Sequence, residues 1–259
     1  MTVADRLEKL LDCLRRCGSV LLAYSGGVDS ALLLDLLVRE AGIPCCPVFV
    51  DHPALRPAER EAAAAAVRRH GGLVLPVSLA VMAPIWGATA ADRCYRCKQF
   101  FFTGLQALAG ERGLQTVCDG THAGDNPARP GRRALEELGI VSPLLRAGWD
   151  KPLIRRVARE RGLAVWRRPA AACLAVGIEG PATADRLSWL AAMVDYLDSK
   201  LAVPLRLGLT DDDGLVVSCR PADRPRLEKL LEQKKLPPVL AARRPRRIVY
   251  RQLRGGALV

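Results

Sequence analysis

Val20-Leu21-Leu22-Ala23-Tyr24 runs straight into Ser25-Gly26-Gly27-Val28-Asp29-Ser30. The first five residues form a short apolar run suited to a buried strand. The leucine-rich stretch that follows, up to Glu40, reads as a helix. A hexapeptide with two adjacent glycines between a strand and a helix has the composition of a phosphate loop. The glycines let the backbone turn tightly, with no side chain between it and a ligand. The helix start then aims its unbonded N–H groups and its dipole at an anion. Ser25 and Ser30 add hydroxyl donors. Asp29 would repel phosphate by itself, so it is expected to act through a magnesium ion. No G-x-x-x-x-G-K-S/T sequence occurs in the chain, which argues against the kinase and GTPase type of loop.

Outward from the loop, strand and helix alternate. Leu7, Leu10, Leu11 and Leu14 make the stripe of an amphipathic helix over 5–16. Pro47 to Val50 reads as a strand, 58–70 as an alanine-rich helix and Leu73 to Leu79 as a third strand. A helix is predicted over 98–110 and a fourth strand over Gln115 to Cys118. Asp150 caps a helix that runs to Arg161 and stops at Gly162. This alternation predicts an α/β domain with a parallel sheet and helices on both faces. Ligands of such sheets bind beyond the carboxyl ends of the strands. Ser25 and Asp119 both lie at such ends.

After about residue 180 the pattern changes. A helix is expected over 183–200, strands over 205–209 and 215–219 around the Asp211-Asp212-Asp213-Gly214 turn, a helix over 222–234 and a last strand over 248–253. The expected division is a nucleotide-binding domain over 1–180 and a small α+β domain over 181–259. There is no internal repeat and no low-complexity stretch.

Of the 259 residues, 50% are apolar, enough for a substantial core. No segment reaches the roughly 18 consecutive apolar residues of a membrane helix. Met1 to Leu10 is charged and helix-patterned, unlike a signal peptide, so a soluble, cytoplasmic protein without a membrane partner is expected. The formal charge of +12 suits RNA or a small anionic substrate. Ten of the basic residues stand in five scattered pairs, as on solvated helix faces: Arg15-Arg16, Arg68-Arg69, Arg132-Arg133, Arg155-Arg156 and Arg167-Arg168. Only the tail is dense, with Arg243, Arg244, Arg246, Arg247, Arg251 and Arg254. The nine cysteines are an odd count without secretory context, which points to thiols with catalytic or metal-binding roles rather than a disulfide framework.

Two cysteines form Cys94-Tyr95-Arg96-Cys97, and Cys173 follows Pro169-Ala170-Ala171-Ala172. Three thiolates suit a 4Fe–4S cluster with one iron left open. Zinc would want a fourth ligand, from Cys118 or His122. Spacing alone leaves a third reading, in which the three cysteines are unconnected.

The hexapeptide resembles the signature of the ATP pyrophosphatases, which cleave ATP to AMP and pyrophosphate. The likeness extends further: Asp51-His52-Pro53 with Pro57 and Glu59, Asp92 to Lys98, Asp119-Gly120-Thr121, Asp125, Arg129-Pro130-Gly131, Ser142-Pro143-Leu144 and Arg168 to Leu174. In this order and spacing they resemble the ATP-dependent sacrificial sulfur transferases of nickel-pincer nucleotide biosynthesis, the LarE family. The resemblance covers residues 5–180. It implies a PP-loop α/β fold, adenylation of a carboxylate of a pyridinium dicarboxylate mononucleotide, and displacement of AMP by sulfur. In one branch of that family a single cysteine at the Cys173 position gives up its own sulfur. In another, three cysteines hold a 4Fe–4S cluster that passes on a bound sulfide. Cys94, Cys97 and Cys173 together match the second branch. By motif position, Ser25, Gly26, Gly27, Asp29, Ser30, Asp51, Gly120 and Asp125 would serve ATP and Mg2+. Arg129 and Arg132 would take phosphate or substrate carboxylate, which a guanidinium matches in bidentate fashion. Lys98 would hold an anion or cap its own helix. Catalysis would centre on Cys173, Asp29 and Lys98. His52 and His122 read as ordinary loop residues. The implied partners are a small anionic nucleotide, sulfide or another sulfur donor, and further copies of the chain in a homo-oligomer.

The family's Ser-Arg-Ile-Pro-Tyr-Gly after the Cys173 motif is here Ala175-Val176-Gly177-Ile178-Glu179-Gly180. Its Arg-Val-Arg-x-His strand is here Leu205-Arg206-Leu207-Gly208-Leu209, and the asparagine after Asp119-Gly120-Thr121 is His122. These changes fall where substrate would be recognised. A tRNA-thiolating enzyme with the same loop and three cysteines is the alternative, and a non-catalytic nucleotide- or cluster-binding protein is a third.

Overall fold

A computed structural model describes residues 2–87, 90–168, 173–201, 203–232, 237, 240 and 245–253. In chain order the elements are α1 (Val3–Arg15), β1 (Val20–Ala23), α2 (Val28–Leu36), β2 (Cys45–Asp51), α3 (Pro57–Arg69), β3 (Leu73–Pro76), α4 (Leu79–Trp86) and α5 (Ala90–Glu111). Then come β4 (Thr116–Cys118), α6 (Pro130–Glu137), α7 (Pro143–Arg146), α8 (Lys151–Glu160), α9 (Ala184–Lys200), β5 (Leu205–Leu209), β6 (Leu215–Cys219), α10 (Arg224–Glu232) and β7 (Ile248–Gln252). Among the described residues, no helix is long and apolar enough to cross a membrane.

The chain forms two compact units. The first comprises 1–51, 57–77 and 94–168; the second comprises 52–56, 78–93 and 169–259.

The first unit is built on a four-stranded, all-parallel sheet of order β3-β2-β1-β4. From β1 the chain moves outward to β2 and β3, then returns to place β4 on the other side of β1. That reversal makes the β1/β4 boundary the topological switch point, where ligands of open α/β sheets bind. Val20, Leu21 and Leu22 of β1 are all fully buried. Successive strand residues face opposite sides, so both faces of the sheet are covered. On one face Leu21, Val48 and Val117 pack with Phe102, Leu105 and Ala109 of α5 and with Leu135 of α6. Beyond β4, Val141 makes a parallel bridge to Cys118; its N–H donates to the Val117 carbonyl at 3.0 Å.

Several ends are set locally. Thr2 and Asp5 form a reciprocal capping box at α1, with bonds of 3.1 and 2.8 Å. Asp150 caps α8 by accepting from the Leu153 N–H at 3.0 Å, as its sequence predicts. After α2 the helix continues as a π turn over Leu37–Ala41 and ends at Gly42, whose φ of 68° is left-handed.

The second unit holds a three-stranded sheet, β5-β6-β7, antiparallel between β5 and β6 and parallel between β6 and β7. The expected helix over 222–234 is a short 3-10 turn over Pro221–Asp223 followed by α10. Pro169 to Ala172, Arg243, Arg244 and Arg254 lie outside the described residues.

Candidate functional site

The Ser25–Ser30 loop leaves the carboxyl end of β1 at the switch point. Gly26 has a φ of 80°, and a Cβ there would stand 2.9 Å from the Ala63 Cβ on α3. Both the turn and the close approach therefore require glycine. Inside the loop, Ser30 Oγ accepts from the Ser25 N–H and lies 3.2 Å from Ser25 Oγ, while it donates to the Gly27 carbonyl at 3.1 Å. Gly27 is the N-cap of α2 and brings no side chain to it. The first N–H groups of α2 are thus left for an outside acceptor, as an anion site needs.

Asp29, in the first turn of α2, accepts from Lys151 Nζ with both carboxylate oxygens, at 2.7 and 2.6 Å. Sequence reasoning missed Lys151, the first residue of α8. The only signal was its place after the capping Asp150. Asp29 is therefore not a bare carboxylate awaiting a metal. It is already neutralised by a cation that stands beside the phosphate loop.

From the other side of the switch point, Gly120 meets the loop. A Cβ on it would lie 3.2 Å from the Asp29 Cβ and 3.2 Å from the Ser30 nitrogen. The preceding Asp119 is buried and heavily bonded. Ser142 Oγ donates to its Oδ1 at 2.6 Å, Thr121 Oγ1 to its Oδ2 at 2.6 Å, and the Thr121 N–H to Oδ1 at 3.2 Å. Lys98 Nζ stands 3.7 Å from Asp119 Oδ2. The expectation that Lys98 caps its own helix is corrected: the helix begins at Ala90, not near 98, so Lys98 lies in its interior. A shortage of strong apolar periodicity around Asp92-Arg93-Cys94 hid that first part of α5.

Asp125 accepts from the His122 N–H at 2.9 Å. His122 Nδ1 accepts from the Gly124 N–H at 3.1 Å, which assigns the imidazole proton to Nε2. His122 lies in the loop after β4 and is buried there. Arg129 is exposed and 3.8 Å from Asp125, whereas Arg132 donates to Glu136 at 2.9 Å. Asp51 holds Arg60 through both oxygens.

Cys94 and Cys97 sit on α5 three residues apart, on one helix face. Gly131 of α6 lets the helices meet there, since a Cβ on it would lie 3.5 Å from the Cys94 carbonyl oxygen and 3.2 Å from Lys98 Cγ. Cys118, a candidate fourth zinc ligand, is fully buried with its thiol 3.9 Å from Cys17 Sγ. Cys173 belongs to the second unit, where it precedes a 3-10 turn over Leu174–Gly177. The segment after it is tied down: the Leu174 N–H donates to the Ala54 carbonyl at 2.9 Å, and the buried Arg93 guanidinium donates to the carbonyls of Ala175, Ile178 and Gly180. Among the described residues, no three His, Cys, Asp or Glu side chains are placed to hold a metal ion.

Comparison with known proteins finds several relatives. A pyridinium-3,5-bisthiocarboxylic acid mononucleotide synthase of Lactiplantibacillus plantarum is 31% identical over 179 residues, 65% of this chain and 62% of that protein. The chain is similar to a synthase of a thiocarboxylated nucleotide. That likeness supports the LarE-type resemblance drawn from the motifs. An uncharacterised protein of Synechocystis sp. is 34% identical over 172 residues, 66% of this chain and 64% of that protein. A glutamine-hydrolysing GMP synthase of Wolinella succinogenes is 55% identical over 58 residues, 22% of this chain and 11% of that protein. The chain thus matches slightly under two thirds of the length of the first two. No known protein-family model matches it.

Proposed function

We propose that the chain is an ATP-dependent sulfurtransferase of the LarE type that adenylates a substrate carboxylate and replaces AMP with sulfur. The observation that carries this reading is the phosphate loop itself: an uncapped helix start at the switch point, flanked by the Asp29–Lys151 pair. The likeness to the L. plantarum synthase supports a pyridinium dicarboxylate mononucleotide, or a near analogue, as substrate.

A substrate carboxylate oxygen attacks the α-phosphorus of ATP, the bond to pyrophosphate breaks, and a carboxyl–AMP anhydride forms. A sulfur nucleophile then adds at the carbonyl carbon and AMP leaves with its oxygen, giving a thiocarboxylate. The N–H groups that open α2 and the hydroxyls of Ser25 and Ser30 hold the leaving pyrophosphate. ATP brings an anion and its magnesium together. Lys151 would hold the phosphates, and Asp29 would be the ligand for the magnesium ion bound with ATP. Mg2+ supplies charge neutralisation on the phosphates. Lys98, poised on Asp119, and Arg129 with Arg132 are the cations offered to the substrate's anionic groups. Cys94, Cys97 and Cys173 are the sulfur-handling residues, and a homo-oligomer is the expected assembly.

The test is anaerobic incubation with ATP and the pyridinium mononucleotide, following pyrophosphate and AMP. Release that disappears in Asp29→Asn supports the reading. Equal release from both proteins, or none from either, sinks it. Iron and acid-labile sulfide then identify the donor. About four of each per chain, lost in Cys173→Ala, means a cluster. No iron, with a mass loss near that of hydrogen sulfide at Cys173, means a sacrificial thiol. Salt-sensitive tRNA binding with tRNA-dependent pyrophosphate release would favour the RNA substrate instead.

A further inference from the structure

The first unit contains a second concave site, at the opposite end of the same sheet. Lys9, Cys13, Arg16, Cys17, Thr116, Val141 and Arg146 line a pocket of about 240 Å³. Cys17 precedes β1 and Thr116 opens β4, whereas the phosphate loop follows the other end of β1. The four residues of β1, at about 3.3 Å each, keep the two sites apart.

The chemistry of the lining is specific. Three cations and no carboxylate face the pocket, and none of Lys9, Arg16 and Arg146 is in an ion pair among the described residues. Two thiols share it with them. Cys17 is 94% buried by its 6% exposure, and its Sγ lies 3.9 Å from that of Cys118, which is fully buried behind it. The Cys118 thiol donates to the Cys17 sulfur, and with Arg146 and Arg16 this outweighs burial and holds Cys17 below the usual thiol range. The same bond, together with burial, pushes Cys118 up. Burial likewise raises Cys13. The Cys17 thiol, which donates to the Cys13 carbonyl at 3.2 Å, is thus the more readily ionised of the pair and faces the cations, with the Cys118 thiol behind it.

We infer that this pocket is a reactive-thiol site for a small sulfur-bearing oxoanion of the thiosulfate class, with Cys17 as nucleophile and Cys118 as resolving thiol. Its volume is below the roughly 300–1,000 Å³ of sites for drug-sized organic ligands. A neutral peroxide would make no use of three cations. A small dianion with an electrophilic sulfur matches the size, the charge and the nucleophile together. The Cys17 thiolate attacks the outer sulfur of thiosulfate, the sulfur–sulfur bond breaks, and sulfite leaves with the electron pair. Cys17 then carries a persulfide. The Cys118 thiol attacks the inner sulfur, and hydrosulfide leaves with the outer sulfur and the proton. Two thiols are oxidised to a disulfide and one sulfane sulfur is reduced to sulfide; a dithiol reductant resets the pair. The two sulfurs need to close by roughly 2 Å to reach bonding distance. Cys17 lies in the turn after α1 rather than in a regular element, which leaves it room to move. This site does not depend on ATP or on the phosphate loop.

The experiment is a single turnover of the reduced, full-length chain with thiosulfate, without ATP or added reductant, reading sulfite, sulfide and peptide masses. The expected result is one sulfite and one sulfide per chain with a Cys17–Cys118 disulfide. Cys118→Ser should stop at one sulfite, with one extra sulfur atom on the Cys17 peptide. Arg146→Ala, at an exposed position, should fold normally and slow sulfite release at least tenfold. Asp29→Asn and Cys173→Ala should leave the reaction unchanged, which separates this site from the phosphate loop. No sulfite from the parent chain, undiminished release from Cys17→Ser, an unchanged rate in Arg146→Ala, or sulfur mapped to another cysteine would each overturn the assignment.

Discussion

Replacing Gly26 with alanine tests the loop from two directions at once. At a φ of 80° an L-residue costs about 1–2 kcal/mol. Its new Cβ would stand 2.9 Å from that of Ala63, well inside the roughly 3.5–4.0 Å of a good carbon–carbon contact. Ala63 is itself buried in α3, so relief requires backbone movement at about 1–3 kcal/mol. The less flexible unfolded chain returns about 0.4–1 kcal/mol. The net destabilisation is therefore about 1–5 kcal/mol. A two-unit protein need not unfold in one step, so the assay is native-state hydrogen exchange at the amides of Leu21 and Leu22, which report on the first unit. Exchange should accelerate roughly 5- to 2,000-fold at tenfold per 1.4 kcal/mol. Ala63→Gly in the same chain removes the colliding methyl group but not the strained φ, so it should rescue only the contact part. The reasoning is refuted if Gly26→Ala exchanges within threefold of the parent, or if the pair shows no coupling in a double-mutant cycle.

Lys151→Met should lower pyrophosphate release at least a hundredfold, while changing stability by no more than about 1 kcal/mol because the pair is partly exposed; parental turnover would remove Lys151 from the site. Ser142→Ala strips a 2.6 Å donor from the buried Asp119 and should cost about 1–3 kcal/mol, read as faster exchange at Cys118. The Cys45 thiol is pushed up to about 12 by burial, whereas Cys17 is lowered. Between pH 8 and 10, iodoacetate labelling of Cys45 should therefore rise about tenfold per pH unit, and labelling of Cys17 should level off; parallel profiles would contradict this. Gly177→Ile should break the bridge between Ile178 and Leu209, because a Cβ at 177 would lie 2.6 Å from the Leu207 carbonyl oxygen. Loss of protection at the Glu179 amide, bonded to Leu209 at 2.8 Å, is the readout.

The fold was legible where one residue pattern had one outcome. Apolar runs ending in glycine-rich turns gave β1 and the phosphate loop. The stripe Leu10, Leu11, Leu14 gave α1. Asp150 and Gly162 bracketed α8. What escaped was structure held by tertiary contact rather than by periodicity. The first turns of α5 carry Asp92, Arg93 and Cys94, a polar run that a helix accepts only because Arg93 is buried against three carbonyls of the 175–180 segment. The helices α4, α6 and α7 are of eight, eight and four residues, too short to show a period. The strand order, and with it the switch point, is a non-local property that no window of sequence contains.

The site divides along the same line. The conformation of Ser25 to Ser30 could be read from its own neighbours, because a tight glycine turn between a strand and a helix is a local object. Lys151 could not, since its partner Asp29 is 122 residues away. The departures from the family pattern show the converse case, in which distant residues are coupled by contact. Gly177 follows the Cys173 motif and Gly208 lies in β5, in the two stretches where this chain differs most from that pattern. A Cβ on Gly208 would lie 2.4 Å from the Gly177 carbonyl oxygen, so each backbone occupies the space that a side chain on the other would need. Neither stretch can recover a bulky residue at its glycine while the other backbone stays where it is. The two departures are physically one change: a close backbone approach that closes the 174–180 segment onto the edge of β5. Substrate recognition after Cys173 is therefore expected to differ from the family pattern as a unit.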